Sequence, residues 1–176
     1  KAKMLRRSFI SKTGILSAGI LLEKPAMGMQ NFLPGSNPLP AWRGFNLLDF
    51  FMPDPEKRYQ FTKSDHLKWM RDWGFDFIRL PMAYPYYLDI DRKKNIDKAD
   101  VYRFDNKRVD EIEALIQLAQ SYGMHVSLNL HRAPGYCINA GFNEPYNLWK
   151  DQDAQEAFYF HWQFWARRFK NVSPKK

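Results

Sequence analysis

Two stretches decide the fold: Gly74-Phe75-Asp76-Phe77-Ile78-Arg79-Leu80-Pro81 and, later, Gly123-Met124-His125-Val126-Ser127-Leu128-Asn129-Leu130. Each is a glycine followed at once by a run rich in β-branched and aromatic residues, which reads as a strand entered from a helix end. Upstream of the first, Leu67, Met70 and Trp73 recur at helical spacing. Upstream of the second, Val109, Ile112, Leu115, Ile116, Ala119 and Tyr122 do the same behind Asp105 or Asn106 as cap. Thr62 and Asp65 mark the start of the first helix, and Pro81 closes the strand after it. Residues 45–51 read as an earlier strand and 53–61 as a polar loop, and residues 153–169, with Phe158, Trp162, Trp165 and Phe169, as a third helix. Strand and helix alternating through short glycine turns predicts parallel βα units.

The connections after the strands, 81–104 and 131–152, are long, whereas those before them are short. Long loops on that side are what a (β/α)8 barrel shows, because its active site is built from them. The expected class is therefore α/β, a partial (β/α)8 TIM barrel of about the first three βα units. A whole barrel takes roughly 200 to 250 residues, and the 176 residues here supply three strands and three helices. The expected domain is 42–176, the N-terminal part of a barrel ending before strand four.

The ends differ in character from the body. Residues 1–28 and the last ten each contribute +5 to a total of +8, which leaves 29–166 at −2. A phosphate-binding groove needs basic charge on the folded body, so nucleic acid is not an expected partner. Arg6 and Arg7, an apolar run over 15–22 and Pro25-Ala26-Met27-Gly28 form a basic, apolar, small order that reads as a signal peptide over 1–28, of twin-arginine or general type. Export to the periplasm or the exterior is expected, without a stable membrane anchor, because the apolar run is too short. Residues 29–41, with Pro34, Gly35, Pro38 and Pro40, read as a linker. Cys137 is the single cysteine, expected as a buried inert thiol. His66, His125, His131 and His161 lack metal-ligand spacing. Phosphate-loop, dinucleotide and nucleophile-elbow patterns are absent from the sequence.

Three patterns in order, Arg43-Gly44-Phe45-Asn46, Ile78-Arg79-Leu80-Pro81 and Asn129-Leu130-His131-Arg132-Ala133-Pro134-Gly135, resemble the first three barrel strands of glycoside hydrolase family 5, the cellulase family. The resemblance implies a retaining hydrolase of a β-glucan or cellulose-like polysaccharide or oligosaccharide, with two glutamates about 5 Å apart and no cofactor. It implies that Arg79 keeps the nucleophilic carboxylate ionised and that His131 lines the sugar subsite where the bond is cut. Tyr84, Tyr86, Tyr87, Tyr136 and Trp149 lie on the two long loops, where flat rings suit sugar faces. Asn143-Glu144-Pro145 has the letters of the family's acid/base triplet but precedes the third helix, so Glu144 is expected to be a loop residue near the cleft. Both catalytic glutamates are then missing, and the isolated chain is expected to be inactive. One alternative is a secreted, non-catalytic carbohydrate-binding partial barrel, which would have to bury inward faces expected at Ile78 and Leu128. A small flavodoxin-like α/β domain is the other.

Overall fold

The computed structural model describes residues 40–136 and 144–172. The signal-like segment, the linker as far as residue 39, Cys137, Asn143 and the tail from 173 lie outside them. Six elements position the site: β1 Gly44–Asn46, α1 Ser64–Asp72, β2 Phe77–Ala83, α2 Asn106–Ser121, β3 His125–Arg132 and α3 Gln152–Arg168. The three strands form one parallel sheet in the order β1-β2-β3. A flavodoxin-like sheet places its first strand between the next two. Here β2 is central, so the chain winds in one direction as a barrel does.

Both helix-to-strand turns are built alike. Gly74 (φ +84°) follows α1, where the Phe75 amide donates to the Met70 carbonyl at 2.9 Å. Gly123 (φ +75°) follows α2, where the Met124 amide donates to the Ala119 carbonyl at 3.1 Å. These six-to-one bonds satisfy the last carbonyls of each helix and need a left-handed residue between helix and strand. Asp105 caps α2, its Oδ1 accepting from the Lys107 and Arg108 amides at 2.9 and 3.3 Å.

Three expectations are corrected. The start of α1 is not capped by Thr62: His66 Nδ1 accepts from the Lys63 amide at 3.2 Å. Thr62 instead donates through its amide and hydroxyl to the buried Asp49 carboxylate at 2.6 and 2.8 Å, since a buried carboxylate must find donors. The first strand is three residues long, not seven, and Pro81 does not end the second. The Phe77 amide donates to Arg43, the Arg79 carbonyl accepts from Leu47 and the Ala83 amide donates to Phe50, so odd residues of β2 bond towards β1. Pro81 directs its missing donor at the gap where the chain turns between Leu47 and Phe50, and β2 runs through it at no cost in hydrogen bonds. Trp73 lies just past the last turn of α1 and is 72% exposed, outside the buried stripe of Leu67 and Met70.

The core lies between the sheet and the helices. Ile78, Leu80 and Met82 are fully buried in one cluster with Leu67, Val109, Ile112 and Ile116. Each such side chain is worth about 1.5 to 3 kcal/mol. Ile78 pairs in register with Val126, and Leu80 with Leu128, so these residues point towards the helices. The inward face instead carries Phe77, Arg79, His125 and Asn129, a polar and aromatic surface where an apolar one was expected.

Along α3 the deepest positions are Ala154, Ala157, His161 and Trp165, while Phe158, Trp162 and Phe169 are partly buried. His161 Nε2 donates to the Val101 carbonyl at 2.9 Å, so Nδ1 accepts from the Tyr87 hydroxyl at 2.8 Å. His161 thus ties α3 to the β2–α2 connection, beside ring contacts of Phe160 and Phe164 with Phe104 and of Trp165 with Tyr87.

Candidate functional site

The inward face is layered along the strands. At its start Trp42 stacks on His125 (ring centroids 3.9 Å, 15° between planes), with Phe77 stacked on the same imidazole at 5.8 Å. One layer further, Arg79 of β2 donates from Nη1 to Asn46 Oδ1 of β1 at 3.2 Å and from Nη2 to Asn129 Oδ1 of β3 at 2.6 Å. A neutral amide from each flanking strand therefore orients the guanidinium. Among the described residues no acidic side chain pairs with it. The result is a fixed cation on the inward face, without a carboxylate partner among the described residues and suited to hold an anionic group.

His131 occupies the next level, and the register explains how. Met82 pairs with Leu130 and Ala83 with Arg132, so His131 is the extra residue of a bulge. A bulge re-aims the side chains that follow it. The His131 ring lies 5.2 Å from that of Phe51, on the connection after β1. Partial burial, then the positive charges of Arg79 and Arg132, push its pKa below the ordinary imidazole value.

Arg132, Phe51 and Tyr59 were not singled out from sequence. The Arg132 guanidinium is buried, donates from Nη1 to the Phe51 carbonyl at 2.6 Å and lies 4.2 Å from that ring's centroid. Phe51 in turn stacks against Tyr59 (6.1 Å, 26°). Arg132 sits inside a quoted pattern, but the bulge that turns it inward leaves no mark in the hydrophobic pattern.

The loop aromatics divide into two groups. Tyr84, Tyr86 and Tyr87 form a single 3-10 turn directly after β2 and are fully buried. As platforms for a sugar face they are corrected: the turn folds their rings into the core. Tyr84 donates its hydroxyl to Glu144 Oε2 at 2.7 Å, and the same oxygen accepts from the Gly135 amide at 3.0 Å. Tyr136 and Trp149 do reach solvent, at 40% and 75% exposure, and meet edge to face at 6.1 Å. The turn that carries Tyr136 is closed by paired bonds between Ala133 and Tyr136 and by the Leu148 amide donating to the Gly135 carbonyl at 3.0 Å.

Two other features lie elsewhere. A cavity of about 370 Å³ lined by Ile116, Val126, Leu128, Trp162, Trp165 and Phe169 is on the helix side of β3, away from the strand ends. Among the described residues no group of three or more histidine, cysteine, aspartate or glutamate side chains could hold a metal ion, and no helix is long and apolar enough to cross a membrane.

Residues 34–175 of the chain match the family model of the cellulases, glycosyl hydrolase family 5. The chain belongs to glycosyl hydrolase family 5. Relatives include cellodextrinase A of Ruminococcus flavefaciens, 30% identical over 115 residues that make up 65% of this chain and 31% of that protein. Endoglucanase C of Acetivibrio thermocellus is 28% identical over 63% of this chain and 29% of that one. The chain thus spans about a third of the length of the curated relatives it matches. Among solved structures, a glycoside hydrolase is matched with a TM-score of 0.65 and 31% identity over 76% of this chain and 39% of that chain. Thermotoga maritima Cel5A in complex with cellobiose, at 18% identity and a TM-score of 0.55 over 76% of this chain and 40% of that one, shares the fold. In this α/β partial barrel the polar inward face is the side that faces the barrel interior, and barrel enzymes carry their active sites at the C-terminal ends of the strands.

Proposed function

We propose that this chain forms the first three βα units, over 42–176, of an exported family 5 glycosidase that hydrolyses β-glucan or cellulose-like chains with retention of configuration. Export rests on the leader-like order of residues 1–28. The observation that carries the catalytic reading is Arg79, fixed by Asn46 and Asn129 and lacking a carboxylate partner among the described residues. In this reading a glutamate from a strand beyond the third lies against Arg79, which holds it ionised. That carboxylate attacks the anomeric carbon while a second glutamate protonates the departing glycosidic oxygen. Water, deprotonated by the second glutamate, then displaces the first and restores both groups. His131 borders the sugar at the reaction point, and Tyr136 and Trp149 bind rings further along.

Glu144 is not the acid in this scheme, because its Oε2 is turned to Tyr84 and Gly135. The 176-residue chain should therefore bind cellohexaose weakly and hydrolyse none of it. Calorimetric titration and a reducing-end assay test both halves. Released reducing ends would overturn the assignment of the carboxylates to later strands; absence of binding would overturn the sugar-binding role of these loops.

A further inference from the structure

The triplet Asn143-Glu144-Pro145 carries a carboxylate whose use the proposed mechanism leaves open. Glu144 is part-buried, and one of its oxygens, Oε2, takes both the Tyr84 hydroxyl at 2.7 Å and the Gly135 amide at 3.0 Å. Tyr84 is fully buried and begins the turn after β2. Gly135 lies in the turn after β3, at φ +78°. A side chain at that position would collide with the Leu148 amide, so the two segments are in direct contact. Leu148 is itself bonded to the Gly135 carbonyl and is followed by Trp149. Glu144 thus ties the turn bearing Tyr136 to the buried end of the neighbouring strand, while Leu148 ties the same turn to the segment bearing Trp149.

We propose that Glu144 is a positioning residue, a latch between the second and third strand-end loops that holds Tyr136 beside Trp149 in the arrangement a β-linked glucan chain meets. The sugar part of this inference rests on the reading above that these two rings bind glucan. Hydrogen bonds to a charged acceptor are stronger than those between neutral groups, and two of them on one oxygen keep a surface turn in one conformation. The role needs an acceptor oxygen and not a titrating acid.

The chemistry separates the two roles. Glu144→Gln keeps an acceptor oxygen, whereas Glu144→Ala removes it; Tyr84→Phe removes one donor from the opposite side. In the 176-residue chain, amide hydrogen exchange at Gly135 should be close to wild type in Glu144→Gln and about ten-fold faster in Glu144→Ala, roughly the loss of one hydrogen bond. Tyr84→Phe should fall between. Unchanged protection at Leu80 and Ile112, in β2 and α2, shows that the fold is intact in each variant. Cellohexaose affinity should drop about five- to ten-fold in Glu144→Ala and be rescued in Glu144→Gln. Unchanged Gly135 exchange in Glu144→Ala overturns the latch. Faster exchange with unchanged affinity overturns its role towards the sugar. A wild-type chain that binds no cellohexaose overturns the sugar reading itself, and the exchange rates alone then decide the latch.

Discussion

Arg132 fastens the third strand end to the first: its Nη1 donates to the Phe51 carbonyl at 2.6 Å while its guanidinium sits 4.2 Å from the Phe51 ring centroid. The bond spans from β3, past the end of β2, to the connection after β1. It is possible because the bulge at His131 brings Arg132 into register with Ala83, whose amide reaches the Phe50 carbonyl. One irregular residue therefore gives the site its histidine and its clamp together.

Replacing Arg132 by Met keeps most of the apolar stem and removes the charge. The lost charge-assisted bond should cost about 1 to 3 kcal/mol in urea unfolding. Arg132 is one of two cations that depress the His131 pKa. In the variant the His131 imidazole should titrate nearer its ordinary value, read from its ring-proton shifts against pH. An unmoved His131 titration would show that the guanidinium does not act on that ring.

His161 makes acid stability a second test. Burial pushes its pKa down to about 4, only partly countered by its bond to Val101. An unfolded histidine titrates near 6.5, so between these values the unfolded chain binds the extra proton. Stability is then complete above about pH 6.5 and is lost as pH falls towards 4, by about 3 kcal/mol at most. Burial lowers His125 and His131 as well, which adds to the same trend. Melting temperatures from pH 7 to pH 4 should fall steeply in the wild type. In His161→Phe the start is lower, because Tyr87 and Val101 lose a partner, and the slope should be flatter. Parallel slopes in the two proteins would assign the acid sensitivity to other groups.

What the sequence made legible follows from how locally each feature is specified. The Gly74 and Gly123 turns, the α2 cap, which the sequence leaves between Asp105 and Asn106, and the α2 core face from Val109 to Ala119 depend on residues within one or two helical turns and stand as read. Tyr122, by contrast, follows the helix as a half-buried C-cap. The length of β1, the passage of β2 through Pro81 and the bulge at His131 depend on which neighbour each backbone group faces, and a single chain does not display that. Ile78 and Leu128 face the helices, opposite to the parity expected from the sequence, for a related reason. In a barrel both faces of a strand are covered, and only pairing with the helices tells one from the other. The tyrosines after β2 looked like loop residues by position alone. The 3-10 turn that buries them is set by long-range partners, Tyr84 with Glu144 and Tyr87 with His161.

Gly44, in the first of the three family-like patterns, has a steric role. A Cβ built there would fall on the Phe77 carbonyl group, the backbone of the paired strand. Backbone cannot rotate away as a side chain can, so Gly44→Ala should push β1 off β2 and cost about 2 to 3 kcal/mol or more. Asn46 would withdraw with its strand and leave Arg79 with one amide partner instead of two. Urea unfolding gives the cost, and the Arg79 Nε proton resonance reports the altered environment. Full stability in Gly44→Ala would show that β1 can pair at a wider spacing.

Trp149 offers the cleanest separation of binding from folding. Its ring is 75% exposed and touches Tyr136 edge to face, so little of its surface supports the core. Trp149→Ala should therefore change unfolding free energy by no more than about 0.5 kcal/mol. A sugar ring stacked on an exposed indole gains about 1 kcal/mol from the contact, comparable to an aromatic pair, which is roughly a five-fold change in affinity. Calorimetric titration of cellohexaose into wild type and variant, beside their urea curves, measures both. A five-fold weaker complex with an unchanged midpoint places Trp149 on the sugar path. An unchanged affinity removes it from that path and leaves Tyr136 to be tested by the same pair of measurements.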